Sequence, residues 1–248
     1  MLAAAVLTAL LPIVVHDASE TSPLASADGG APAAYGRSVR QPDGGAWLQY
    51  WFYYDYQDQD RGVLRSGRHE GDWELVQFRV TASGRPVEAV YAQHSGAERC
   101  GFGEIATRGG RPVVFASHGS HASYVRAGAR DRMWPDPNDE ADGRGLVVRP
   151  RLVEISATSP PFMRRSTPWG DSRGSWYMPA EQSSPPGPAF QPDRWDDPAA
   201  FAASARACQA DCDAVGECDG PEKALTAGAI LAPLALIALW WRRRRSRG

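Results

Sequence analysis

A mainly β protein is expected here: a β-sandwich with short helices and long loops, followed by one C-terminal transmembrane helix. Three observations lead there. Strand-length alternations of apolar and polar side chains recur between residues 47 and 155. The composition, with 9 Trp, 8 Tyr, 20 Pro and 25 Gly, suits a loop-rich β domain better than a helical one. Residues 224–241 carry no charge and run through Trp240-Trp241 into Arg242-Arg243-Arg244-Arg245, a length and flank that suit a membrane span with its arginines on the cytoplasmic side. At 248 residues the chain is long enough for one domain with a sizeable core plus appendages. The expected division is 1–27, 28–200 as the sandwich, 201–223 as a cysteine-containing stalk, 224–241 as the span and 242–248 as a basic cytoplasmic tail. Net charge is −2, with no basic excess before the tail, which argues against a nucleic-acid partner. There is no repeat and no Gly-rich phosphate loop.

Taken in order, residues 2–15 are apolar and uncharged, and Ala25-Ser26-Ala27 has the small-x-small form of a signal cleavage site. A basic n-region is missing, and the competing reading makes Pro12-Ile13-Val14-Val15-His16 a first strand. Residues 26–34 read as a Gly/Ala/Pro linker. Residues 47–55 alternate as a strand, with Trp47, Gln49, Trp51 and Tyr53 on one face and Leu48, Tyr50, Phe52 and Tyr54 on the other. Aromatic residues on both faces suggest a strand buried on two sides. Residues 72–80, 87–93 and 111–117 are further strands, and residues 146–155 a later one interrupted by Pro150. Ser120 reads as the N-cap of a short helix. The acidic, turn-rich residues 131–142 lack EF-hand spacing and read as a solvated loop rather than a calcium site. Residues 159–198, rich in Pro, Gly and Trp, are expected to cover the sandwich.

Four cysteines, Cys100, Cys208, Cys212 and Cys218, suggest disulfides in an exported protein, with three pairings open. The Cys-x3-Cys-x5-Cys cluster has no neighbouring histidine, which weighs against zinc.

The chemistry concentrates in Gly67-Arg68-His69-Glu70-Gly71-Asp72-Trp73-Glu74. With a strand starting at Asp72, both Asp72 and Glu74 share a face with Val76, Phe78 and Val80, about 7 Å apart at roughly 3.3 Å rise per residue. Trp73 points the other way, and His69 approaches from a Gly-flanked turn. Carboxylates beside apolar side chains are costly unless a cation compensates them. His69, Asp72 and Glu74 are therefore candidates to surround a divalent cation or a cationic ligand, the alternative being carboxylates that are solvated or paired with arginine. Asp55, Glu70, His94, His118 and His121 are possible additions.

Three blocks carry a resemblance: Trp47-Leu48-Gln49-Tyr50-Trp51-Phe52-Tyr53-Tyr54, then Gly67-x-His69-Glu70-Gly71-Asp72-Trp73-Glu74, then Gly119-Ser120-His121-Ala122-x-Tyr124. Across residues 46–200 the chain resembles the vacuolar-protein-sorting-related family of the fungal sixty-two type. More distantly, His69-x-x-Asp72-Trp73-Glu74 is similar to the heptapeptide of the necrosis- and ethylene-inducing peptide-like cytolysins. That resemblance implies a β-sandwich, a divalent metal held by His69, Asp72 and Glu74, and engagement of membrane sphingolipid headgroups. The cytolysin motif has His-Arg-His where this chain has His69-Glu70-Gly71, so its second histidine is absent.

The expected function is a membrane-anchored, extracytoplasmic binding module at the cell surface. It would take a polar lipid headgroup or glycan through a divalent cation, Ca or Mg rather than Zn. A metal-assisted hydrolase, with His69 or Glu74 activating water, is the alternative from another class. A purely structural surface protein without a metal site is the third.

Overall fold

The computed structural model describes residues 2–59, 68–130, 138–170 and 184–208. The fold is mainly β, in mixed sheets with a few short helices. A helix α1 (Leu2–Ala9) leads into β1 (Ile13–His16), followed by β2 (Ala33–Arg40), β3 (Ala46–Gln57), β4 (His69–Val80), β5 (Pro86–Gln93) and β6 (Gly96–Gly101). Then come β7 (Thr107–Arg108), β8 (Arg111–Ala116), β9 (Ser123–Tyr124), β10 (Gly128–Arg130), β11 (Asp139–Ala141), β12 (Val147–Val148) and β13 (Arg151–Glu154). Two helices, α2 (Pro192–Trp195) and α3 (Pro198–Ser204), precede β14 (Arg206–Ala207).

One sheet of seven strands runs β13-β2-β3-β4-β5-β6-β14, antiparallel from β2 to β6 and parallel at both edges. A second sheet runs β12-β1-β8-β7, with β9 also on β8, and β10 and β11 form a separate pair. The central antiparallel strands follow directly from the alternation in sequence. In β3, Leu48, Tyr50, Phe52 and Tyr54 join Val76 and Phe78 of β4 in one core, closed by Val14, Val114, Ala116 and Val148 of the smaller sheet. The other face of the same strands, with Trp47, Trp51, Tyr53, Trp73 and Leu75, forms a second core under Ile155, Met163, Trp195 and Phe201. Aromatic side chains on both faces of β3 are thus buried on both sides. The described part of residues 159–198 supplies the expected cover.

Several boundaries move. Of the two readings of residues 1–27, a signal-like segment or a first strand, the strand is found at Ile13–His16. Ile13–His16 is fully buried and pairs parallel to β8, while Leu7, Leu10 and Leu11 fill the first core. The linker expected at 26–34 already enters β2 at Ala33. Pro150, which cannot donate to a ladder, separates β12 from β13 as expected.

The helix expected after Ser120 does not form. Gly119 at φ +67° and His121 at φ +56° place left-handed residues on either side of Ser120, and the segment is a tight turn. The stalk begins inside the fold, because β14 pairs with β6 and Cys208 is bonded to Cys100. Cys212, Cys218, the 224–241 span and the arginine tail lie outside the described residues. Among the described residues no helix is long and apolar enough to cross a membrane.

Candidate ligand cleft and the buried His121 cluster

β4 is longer than its partner β5. Their ladder runs from Val76↔Tyr91 to Val80↔Pro86, whereas against β3 the pairing of β4 continues back to His69↔Gln57. The N-terminal half of β4 therefore overhangs, and a cleft of about 1200 Å³ opens beside it. His69, Asp72, Trp73 and Glu74 line it from β4, Gln57 from β3, and His94 and Ser95 from the turn after β5. Pro185, Phe190, Asp193, Arg194, Asp197 and Phe201 form the opposite wall. His69, expected in a turn ahead of the strand, is instead its first residue.

Gly71 shapes this end. Its φ of +68° is open to glycine, and a Cβ there would stand 2.7 Å from the Cβ of Trp169. Its carbonyl accepts hydrogen bonds from Ser184 Oγ at 3.0 Å and from His69 Nδ1 at 3.1 Å. A carbonyl only accepts, so Nδ1 of His69 carries a proton, and in the neutral ring Nε2 is the nitrogen with a lone pair.

Asp72 and Glu74 lie on the same face, both buried. Glu74 Oε2 has no hydrogen-bond partner. Burial, and then the nearby charge of Asp72, push the Glu74 carboxyl well above the usual carboxylate range. Asp72 is compensated from below. Its Oδ2 is 3.1 Å from Nδ1 of His121, whose Nε2 lies 3.7 Å from Oε1 of Glu20. The His121 ring stacks on Tyr54 at 3.9 Å between centroids and is fully buried. Burial opposes its charge, but hydrogen bonding and attraction to Asp72 and Glu20 outweigh it and raise its pKa to about 9. Glu20 in turn accepts from the amides of Ser22 at 2.7 Å and Gly119 at 2.8 Å. Burial works against its ionisation, but these bonds and His121 lower its pKa to about 2.

The structure thus brings His69, Asp72, Glu74 and His94 to one cleft and sets His121 beneath it. His118 is half-exposed, its Nδ1 4.0 Å from Glu20. Asp55, nominated as an extra carboxylate, is exposed and does not line the cleft. Glu70 packs against Gly170 rather than entering it. Two carboxylates with buried side chains beside the site, Glu20 and Asp139, escaped sequence reasoning. Glu20 comes from a polar loop near the N-terminus. Asp139 comes from the acidic stretch expected to be solvated, yet it is 2% exposed.

The donor set suits a hard divalent cation: two carboxylates, one oxygen without a partner, and an imidazole with a free lone pair. Among the described residues, however, no group of three or more His, Cys, Asp or Glu is assembled to hold a metal ion.

Residues 60–131 match the family model of vacuolar protein sorting-associated protein 62. The match contains the 67–74 and 119–124 blocks, which meet in the Asp72–His121 pair. Among solved structures the chain is similar to a toxin-fold protein of microbial attack and plant defence, at 15% identity over 62% of this chain and 74% of that one, with a TM-score of 0.42. The same values hold for NLPPya in complex with glucosamine. Necrosis and ethylene inducing protein 2, from the causal agent of cocoa's witches' broom disease, is 13% identical over 60% of this chain and 72% of that one, with a TM-score of 0.34. The family-model match agrees with the first resemblance read from the sequence, over residues 60–131 of the 46–200 expected. Among curated proteins there is no significant match.

Proposed function

We propose that this chain is a membrane-anchored, extracytoplasmic binding module whose cleft takes a polar headgroup or glycan together with a divalent cation, calcium or magnesium rather than zinc. The observation that carries the reading is Glu74: a buried carboxyl beside a second carboxyl, with one oxygen unpartnered, in the wall of an open cleft. A buried polar atom left unsatisfied costs about 1–3 kcal/mol, so a ligand or cation that completes it is favoured. Asp72, Glu74 and His69 would hold the cation. When bound, it supplies a hard Lewis-acidic centre for ligand oxygens. Phe190, an exposed residue of the cleft lining, gives it apolar surface against which a sugar ring or headgroup can pack. The Cys100–Cys208 disulfide supports an oxidising, extracytoplasmic location, and the uncharged run before the arginine block supports the anchor.

Sedimentation with phosphatidylcholine vesicles carrying glucosylceramide tests this. Binding is expected with calcium present, and is expected to fail with chelator or in Asp72→Asn. Binding indifferent to both would overturn it.

A further inference from the structure

His94 and Asp139 form a pair that the proposed cation site does not use. His94 follows β5 with φ +51°, a left-handed backbone that costs a residue with a side chain. Arg194 holds it there from the opposite wall, its Nη2 donating to the His94 carbonyl. Behind the ring, Nε2 of His94 is 2.7 Å from Oδ2 of Asp139. The Asp139 carboxylate is itself fixed, accepting from Ser120 Oγ at 2.6 Å and from Tyr124 OH at 2.6 Å. An ionised carboxylate only accepts, so Nε2–H is the donor, and in the neutral ring Nδ1 keeps its lone pair. The side chain is nevertheless 24% exposed and lines the cleft. A histidine needed only for packing requires neither the strained backbone nor a buried carboxylate aiming its ring.

We propose that His94 is a ligand-contacting residue of the cleft, that Asp139 is its positioning residue, and that together they present Nδ1 as a fixed acceptor for a hydroxyl of a sugar or glycosylated headgroup. The proposal rests on the cleft being the ligand site and adds the atom that reads a hydroxyl there. One wall of the cleft then carries acidic oxygens for a cation, and the turn after β5 carries a neutral acceptor. A ligand lacking the hydroxyl leaves that acceptor unpaired, which is how such a site discriminates.

The test combines nitrogen-15 NMR of the His94 ring with the same glucosylceramide vesicles in excess calcium. At a pH where the ring is neutral, the wild-type chain is expected to hold one tautomer, protonated on Nε2, and Asp139→Asn to give a mixture. His94→Phe should weaken vesicle binding about five- to tenfold. His94→Asn, which tolerates the left-handed backbone and keeps an acceptor near the Nδ1 position, should restore most of it. A wild-type ring protonated on Nδ1, or unchanged binding in His94→Phe, overturns this proposal and leaves the ligand reading standing. Wild-type chain that ignores the vesicles overturns both.

Discussion

His121 stands between two buried carboxylates, and removing it would leave Asp72 and Glu20 facing each other without a cation. Breaking a buried pair by deleting one partner typically costs about 3–5 kcal/mol. His121→Asn, chosen because Asn accepts a positive φ, should lose about that much in urea unfolding at neutral pH. A loss near zero would mean that the ion pairs contribute nothing. The pH dependence has a definite sign. The His121 pKa is raised from 6.5 to about 9, so its contribution is complete below 6.5 and is lost as pH rises through 9. The Glu74 pKa is raised above 4.5, so the folded chain retains a proton that the unfolded chain has released, and this too erodes stability as pH rises. His16, lowered to about 4 by burial and by His121, acts oppositely below 6.5. Between pH 6.5 and 9 the melting temperature should therefore fall, and His121→Asn should flatten that slope. A rising profile would contradict the His121 assignment. At this level the sequence placed Asp72 and Glu74 on the right face, because alternation is local. It missed Glu20 and Asp139, which become buried only through partners far along the chain.

β4 decides where the cleft lies, since its overhang past β5 leaves the polar end of an otherwise apolar strand in the cleft wall. Gly71 sets the direction of that end. Gly71→Ala would combine φ +68° with a Cβ 2.7 Å from that of Trp169, so a cost on the order of 1–3 kcal/mol is expected from chemical denaturation. Unchanged stability would show that the cover yields freely there. The strands themselves were legible in residues 47–80, where the alternation of Trp, Tyr and Leu names both faces. The turn at Ser120 was not. A capping serine looks the same before a helix and before a turn, and what excludes the helix is the left-handed pair Gly119 and His121, held by Glu20 and Asp72. The overhang was also hidden, because sequence marks where a strand begins but not how far its neighbour extends.

The assembled molecule has one large sheet covered on both faces, by a smaller sheet on one side and by α2, α3 and the preceding loops on the other. Cys100–Cys208 fastens the end of that cover to β6 across a separation of 108 residues. Replacing both cysteines by serine should cost about 2–5 kcal/mol in thermal or denaturant unfolding. A smaller loss would mean that burial of Trp195 and Phe201 already secures the cover. The layered architecture was legible from aromatic residues on both faces of β3. The inclusion of residues 2–27 was less so, because an apolar N-terminal run serves equally as a signal and as core. The proposed function requires above all that the cleft complete its carboxylates with a cation. Calorimetric titration of calcium into the wild-type chain and into Glu74→Gln tests this directly. Saturable binding near one ion per chain, strongly weakened in Glu74→Gln, is predicted; equal heats from both proteins, or none from the wild type, would contradict it.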